Sequence, residues 1–300
     1  MNPFLSYQGL LNVALKEQPL PPVNPIVLFY GEPGLGKTTL GISCGRKSFL
    51  WNYNEGAHRS LLRADATSDL VPWANVQQLE TNGFFAALRS EGFDTLVYDT
   101  IDDLIWKSLV PFLISTNPTF GTTRGQLQMY GALKKEFQRH FYFLRSLGFT
   151  VVFIAHQKAE GNRGGTENLR VKPLITGGSY DIVMSAADVV GFLYSDAQKN
   201  RVVSFNPTPD YYAKNPLQLR DMIIPHIDQK AGVPAEFRTF GLEAIVQPVR
   251  DITQKMSAEL TKERNPNPAP VAQAQTQAAP VAQTVASTVQ ISPEWFAYIN

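Results

Sequence analysis

Eight consecutive residues carry the most specific chemistry in the chain. Gly31-Glu32-Pro33-Gly34-Leu35-Gly36-Lys37-Thr38 has the spacing G-x-x-x-x-G-K-[ST], with Thr39 directly after it. Glycines so placed let successive backbone N–H groups turn inward around phosphate oxygens without Cβ clashes. A helix opening at Lys37 adds the positive end of its dipole. In such a loop the lysine reaches the β- and γ-phosphate oxygens and the threonine hydroxyl coordinates Mg²⁺. The expected ligand is ATP with Mg²⁺, held by residues from Gly31 to Thr39.

Other polar residues stand where hydrolysis would use them. Asp99 ends the apolar run TLVYDT (95–100), and a carboxylate at such a strand tip is placed to hold Mg²⁺, usually through water. Of the two acids that follow, Asp103 reads as negative charge at a helix N-terminus, and Asp102 is open between that and a role in the site. Glu55, just past SFLWNYN, is the candidate base that activates water; its alternative is an ordinary loop carboxylate. His156 and Gln157 end the run TVVFIAH (150–156) and its continuation, where polar side chains could sense the γ-phosphate. For His156 a satisfied structural role is equally open.

The elements that must position these groups follow from hydrophobic patterning. Short apolar runs at 26–31, 48–53, 95–100 and 150–156 are nearly continuous in apolar and β-branched residues, as strands buried on both faces of a parallel sheet are. Candidate helices fall after Lys37 and over 84–90, 101–114 and 127–147. This alternation predicts a doubly wound α/β fold with a mostly parallel sheet. The runs at 189–194 and 201–206 lie close together and predict an antiparallel hairpin at the sheet edge. The expected division is an N-terminal segment 1–24, an ATPase core 25–263, a disordered Pro/Ala/Gln tether 264–290, and an aromatic tail 291–300 that docks on a protein partner or folds back on the core.

In order, GEPGLGKTTL, NYNEG, TLVYDTIDDL and VVFIAHQK resemble the RecA superfamily, and more narrowly its compact phage-encoded, single-strand annealing RecA-like ATPases. That group's later segments are matched by Lys172-Pro173 with Gly177, by Ala187-Asp188-Val189-Val190 with Leu193, and by Ala213-Lys214-Asn215. The resemblance covers residues 25–230, and the family's Asn-Gln sensor pair is replaced by Ala155-His156-Gln157. It implies that Glu55 activates water and that His156 or Gln157 senses the γ-phosphate. It also implies that the glycine-rich, modestly basic segment 158–178 binds single-stranded DNA through Lys158, Arg163, Arg170 and Lys172. The segment itself offers no clear aromatic for base stacking, and a plain surface loop is its alternative. In a homo-oligomer, ring or filament, Lys214 is the candidate cation that completes a neighbour's ATP site, with Arg201 second.

Composition sets limits on these readings. The chain has 300 residues, 44% of them hydrophobic, a net charge of +1 and a single cysteine, Cys44. A near-neutral chain can contact DNA only through a local patch, and one cysteine leaves no internal disulfide and no cysteine cluster for zinc. The N-terminal residues do not have the pattern of a signal peptide, so a cytoplasmic protein is expected. Three functions remain open: a DNA-stimulated ATPase of annealing or strand exchange, a helicase loader or other P-loop motor, and an ATP-gated adaptor recruiting a replication protein through its tail.

Overall fold

A computed structural model describes residues 24–54, 56–160, 170–175, 178–227 and 232–264. The expectations for Glu55, Arg163, Gly177, the N-terminal segment, the tether and the tail therefore concern residues outside those described.

The elements follow the sequence pattern closely. Strand β1 (Ile26–Gly31) runs into the glycine turn and then helix α1 (Lys37–Ile42). Next come β2 (Ser48–Asn52), β3 (Ala66–Asp69), α2 (Trp73–Thr81), α3 (Phe84–Ser90) and β4 (Thr95–Asp99). A helical stretch, α4, covers 101–116 and is wound as π-helix over Leu104–Leu109. After it come α5 (Gln126–Ser146), β5 (Thr150–Glu160), β6 (Arg170–Pro173), α6 (Gly178–Ala186), β7 (Val189–Ser195), β8 (Arg201–Ser204) and β9 (Met222–Ile223). A π-turn at Leu242–Val246 leads into α7 (Gln247–Arg264).

The strands form one sheet in the order β3-β2-β4-β5-β1-β7-β8-β9. From β3 to β7 every pairing is parallel. The β7–β8 and β8–β9 pairings are antiparallel, as the predicted hairpin requires. The outer end of β5 runs past the sheet and pairs antiparallel with β6.

Alternation along each parallel strand explains the unbroken apolar runs, because successive side chains enter opposite layers. Ile26, Leu28 and Tyr30 of β1 join Phe49, Trp51, Leu96, Tyr98, Val151 and Phe153 in a core under α2 to α6. Val27 and Phe29 join Leu50, Val97, Val152 and Ile154 in a second core with Leu40 of α1 and Ile245, Val246 and Val249. The first core is rich in aromatic rings, and the Phe153 ring centroid stands 4.6 Å from that of Phe141 and 5.7 Å from that of Tyr98. A buried His140 accepts or donates at both ring nitrogens, to the Tyr98 hydroxyl (2.9 Å) and the Glu80 carboxylate (2.5 Å), so the polar tip of Tyr98 is satisfied inside this layer.

The compact body spans Val23–Ile252, and Thr253–Asn300 groups with Met1–Pro22 as a second unit, of which the described part is the remainder of α7. Within the body, Arg250 ties α7 to the sheet by donating to Thr150 Oγ1 (2.9 Å) and Asn24 Oδ1 (3.2 Å). Truncating Phe153 to Ala should cost roughly 3–5 kcal/mol, the usual range for a buried ring. Urea unfolding of the variant should show a lower midpoint with an unchanged slope.

Candidate active site

Register places the functional tips at one end of the sheet. Gly31 of β1 lies opposite His156 of β5 and Leu193 of β7. Asp99 of β4 lies opposite Asn52 of β2 and Ile154 of β5. The strand bearing Asp99 is not next to β1, since β5 intervenes, yet the first turn of α1 reaches Asp99 directly.

The turn after β1 needs glycine for two separate reasons. Gly34 (φ 84°) and Gly36 (φ 86°) are in left-handed backbone that side chains disfavour. At Gly31 the reason is space: a Cβ there would lie 2.3 Å from the Leu193 carbonyl oxygen of β7. Helix α1 begins at once, with the Leu40 N–H donating to the Gly36 carbonyl at 2.9 Å.

Lys37 is 7% exposed, and its ammonium donates to the carbonyls of Gly31 (2.9 Å) and Glu32 (2.7 Å). Burial pulls its pKa below the ordinary lysine value, against the opposing pull of Asp99, Asp102 and Glu32. The Thr38 hydroxyl donates to Asp99 Oδ2 at 2.6 Å. Burial pushes the Asp99 carboxyl up from its usual range, while Thr38, Lys37 and His156 oppose that shift. A buried carboxylate beside a hydroxyl, with an ammonium close by, is the donor set a Mg²⁺–triphosphate would complete: hard oxygens for the cation and a positive group for the phosphate. The residues therefore fit the ligand, which supplies the cation charge that stabilises phosphoryl transfer. The Thr39 hydroxyl points elsewhere, to Ser60 Oγ at 2.9 Å.

The end of β2 is fixed against Asp99. Tyr53 N–H (2.6 Å) and Asn54 N–H (3.0 Å) both donate to the Asp99 carbonyl, and Lys107 donates to the Tyr53 carbonyl at 3.1 Å. The Gly56 N–H donates to Asn54 Oδ1 at 3.1 Å. Both chain neighbours of Glu55 are thus held at the site, while Glu55 itself is outside the described residues.

The tip of β5 carries two polar contacts. His156 Nδ1 faces Asp102 Oδ2 at 2.7 Å, and its Nε2 faces Asn54 Nδ2 at 3.2 Å. Asp102 thus bonds His156 at the strand tips, whereas Asp103 lies in the first turn of α4 and pairs with Lys107 one turn on (3.2 Å). The Asp102 carboxylate raises the His156 pKa above its ordinary value, against partial desolvation and Lys37. Gln157 Nε2 donates to Glu32 Oε1 of the glycine turn at 3.3 Å. Its Oε1 is buried with no partner among the described residues.

Two expectations change. Lys214 does not present its charge outward: its ammonium donates to the carbonyls of Met184 (3.0 Å), Ser185 (3.2 Å) and Ala187 (2.6 Å). An ammonium has three N–H donors, so all are engaged at the C-terminal end of α6, where a cation also suits the helix dipole. The basic segment expected to be a loop is, at both ends, a paired ribbon: Lys158 lies opposite Lys172, and Glu160 opposite Arg170. Lys172 is bonded to Glu160. The Arg170 guanidinium lies 3.7 Å from the Tyr212 ring centroid, and the Lys172 ammonium 5.3 Å from that of Tyr180. The aromatics absent from the segment itself come from α6 and from the chain after β8. Val171 bridges to Tyr211, a pairing no local sequence signal announces.

Replacing Lys37 by Ala, or Asp99 by Asn, should abolish Mg²⁺-dependent ATP turnover in a phosphate-release assay while the fold survives in circular dichroism. The His156–Asp102 pair should stabilise the fold fully below about pH 6.5, the ordinary histidine value, and lose that contribution as pH rises through the raised folded value. An NMR titration of the His156 ring checks this, and Asp102→Asn should bring the midpoint down.

Among the described residues no helix is long and apolar enough to cross a membrane. No curated protein matches the chain significantly. A family model described as an AAA domain matches residues 24–217, the stretch that carries the glycine turn, Asp99, the β5 tip and the β5–β6 ribbon. On that match and this geometry, the chain belongs to the AAA domain family of P-loop nucleotide-binding ATPases.

Proposed function

We propose that this protein is a Mg²⁺-dependent, RecA-like ATPase that acts on single-stranded DNA, in annealing, strand exchange or replication, as a homo-oligomer. The observation that carries the reading is the path of β5. Its inner half lies in the sheet beside β1, Gln157 touches the glycine turn, and its outer half pairs with β6, which gathers Lys158, Arg170 and Lys172 on one ribbon. Tyr180, Tyr211 and Tyr212 border this ribbon. Proteins that hold single strands combine backbone-tracking cations with aromatic faces on which bases stack. A nucleotide that displaces the Glu32–Gln157 contact would change the support of the ribbon, which links ATP binding to DNA binding.

ATP turnover should rise when oligo-dT is added. A variant with Lys158, Arg170 and Lys172 all replaced by Ala should bind oligo-dT more weakly, with a shallower dependence on salt by about 0.7 in log-log slope per lost phosphate contact. Turnover indifferent to DNA, together with unchanged oligo-dT affinity in the variant, would refute the reading and favour the adaptor.

A further inference from the structure

The flank of the glycine turn opposite to Asp99 and Gln157 holds a cation that the site chemistry above does not use. Arg201 opens β8, opposite Ser195 of β7. A Cβ placed on Gly36 would stand 2.9 Å from Arg201 Nη1, so the guanidinium lies directly against the turn of its own chain. The arginine is held in place from behind: its Nη2 donates to the Pro225 carbonyl at 3.0 Å, and its own carbonyl accepts from the Ile224 N–H at 2.7 Å. Among the described residues no carboxylate pairs with it, and partial burial pulls its pKa below the ordinary arginine value. A half-buried guanidinium favours an anionic partner, and guanidinium geometry matches phosphate oxygens in a bidentate fashion.

We propose that Arg201 binds a phosphate of the nucleotide held by its own chain, on the side away from the hydrolytic groups. The strand order sets that side. Asp99, His156 and Gln157 reach the turn from β4 and β5, whereas Arg201 approaches from β8, beyond β7 on the other flank of β1. The phosphates common to ATP and ADP are its target, so Arg201 contributes to holding nucleotide before and after hydrolysis. A side chain at position 36 would meet the guanidinium.

The inference rests on nucleotide binding by the glycine turn, so the test includes that binding as its own control. Titration of the full chain with a fluorescent ADP and a fluorescent ATP should show Arg201→Ala weakening both, each by about ten- to hundredfold, the range for loss of a charged hydrogen bond. In turnover the loss should appear in KM more than in kcat. Arg201→Lys should recover part of the affinity, because charge is kept while the planar fork is lost. Inorganic pyrophosphate should compete less well with the Arg201→Ala variant by a like factor.

Wild-type ADP affinity in Arg201→Ala would overturn the inference, and so would a loss for both nucleotides with pyrophosphate competition unchanged, which would point to the base or ribose. Recovery of turnover on mixing Arg201→Ala with Lys37→Ala chains would assign the arginine to a neighbour's site and overturn it as well. Failure of the wild type to bind either nucleotide would instead refute the turn as a nucleotide site.

Discussion

The structure depends on one alignment: six parallel strands come into register at one end of the sheet, past which β5 continues, and residues there are bonded across the strands rather than along them. The Thr38–Asp99 hydrogen bond at 2.6 Å joins the helix after β1 to a strand two places away. The Asp99 carbonyl takes the N–H groups of Tyr53 and Asn54. His156 closes the row between Asn54 and Asp102. Two aromatic and aliphatic cores press on the faces of the sheet and fix the register, since a slip by one residue would exchange the two layers. Packing therefore sets the chemistry: the polar tips meet because the apolar bodies of the strands leave them no other alignment.

The electrostatics of those tips are unbalanced in a consistent way. Lys37 and Asp99 are both buried, and burial drives each toward its neutral form. Their mutual attraction opposes this without being the largest influence on either. A dianionic phosphate near the ammonium and a divalent cation near the carboxylate would each restore the charged form. Binding of a metal and a nucleotide would thus be linked to the protonation of both groups, each favouring the other.

Much of this was legible in the chain. The glycine spacing, Asp99 and the apolar runs located the turn, the carboxylate and the strands, and α3 matches its expected span of 84–90. The misses have physical causes. β3 is the short, polar edge strand ATSD and carries no apolar run to announce it. The π-turn and α7 carry a signal that the apolar-run reading does not use, since Leu242, Ile245, Val246 and Val249 repeat at helical spacing and all enter the second core. The role of Asp102 depends on a partner 54 residues away, which spacing cannot reveal. Tyr211 and Tyr212, beside the basic ribbon, come from a segment about 41 residues beyond Arg170, and the engagement of Lys214 by α6 depends on how that helix ends. Position along the chain identifies groups that act through their own strand; groups that act through a partner on another element become visible only after folding.

β5 has a mechanical consequence. It is a single strand from Thr150 to Glu160, and no glycine interrupts it between the core and its paired outer half. A lever of this kind has no joint. A displacement at the glycine turn has one continuous strand along which to reach the ribbon. The same stiffness works in reverse, so a load applied at the ribbon bears directly on the backbone beside Gly31.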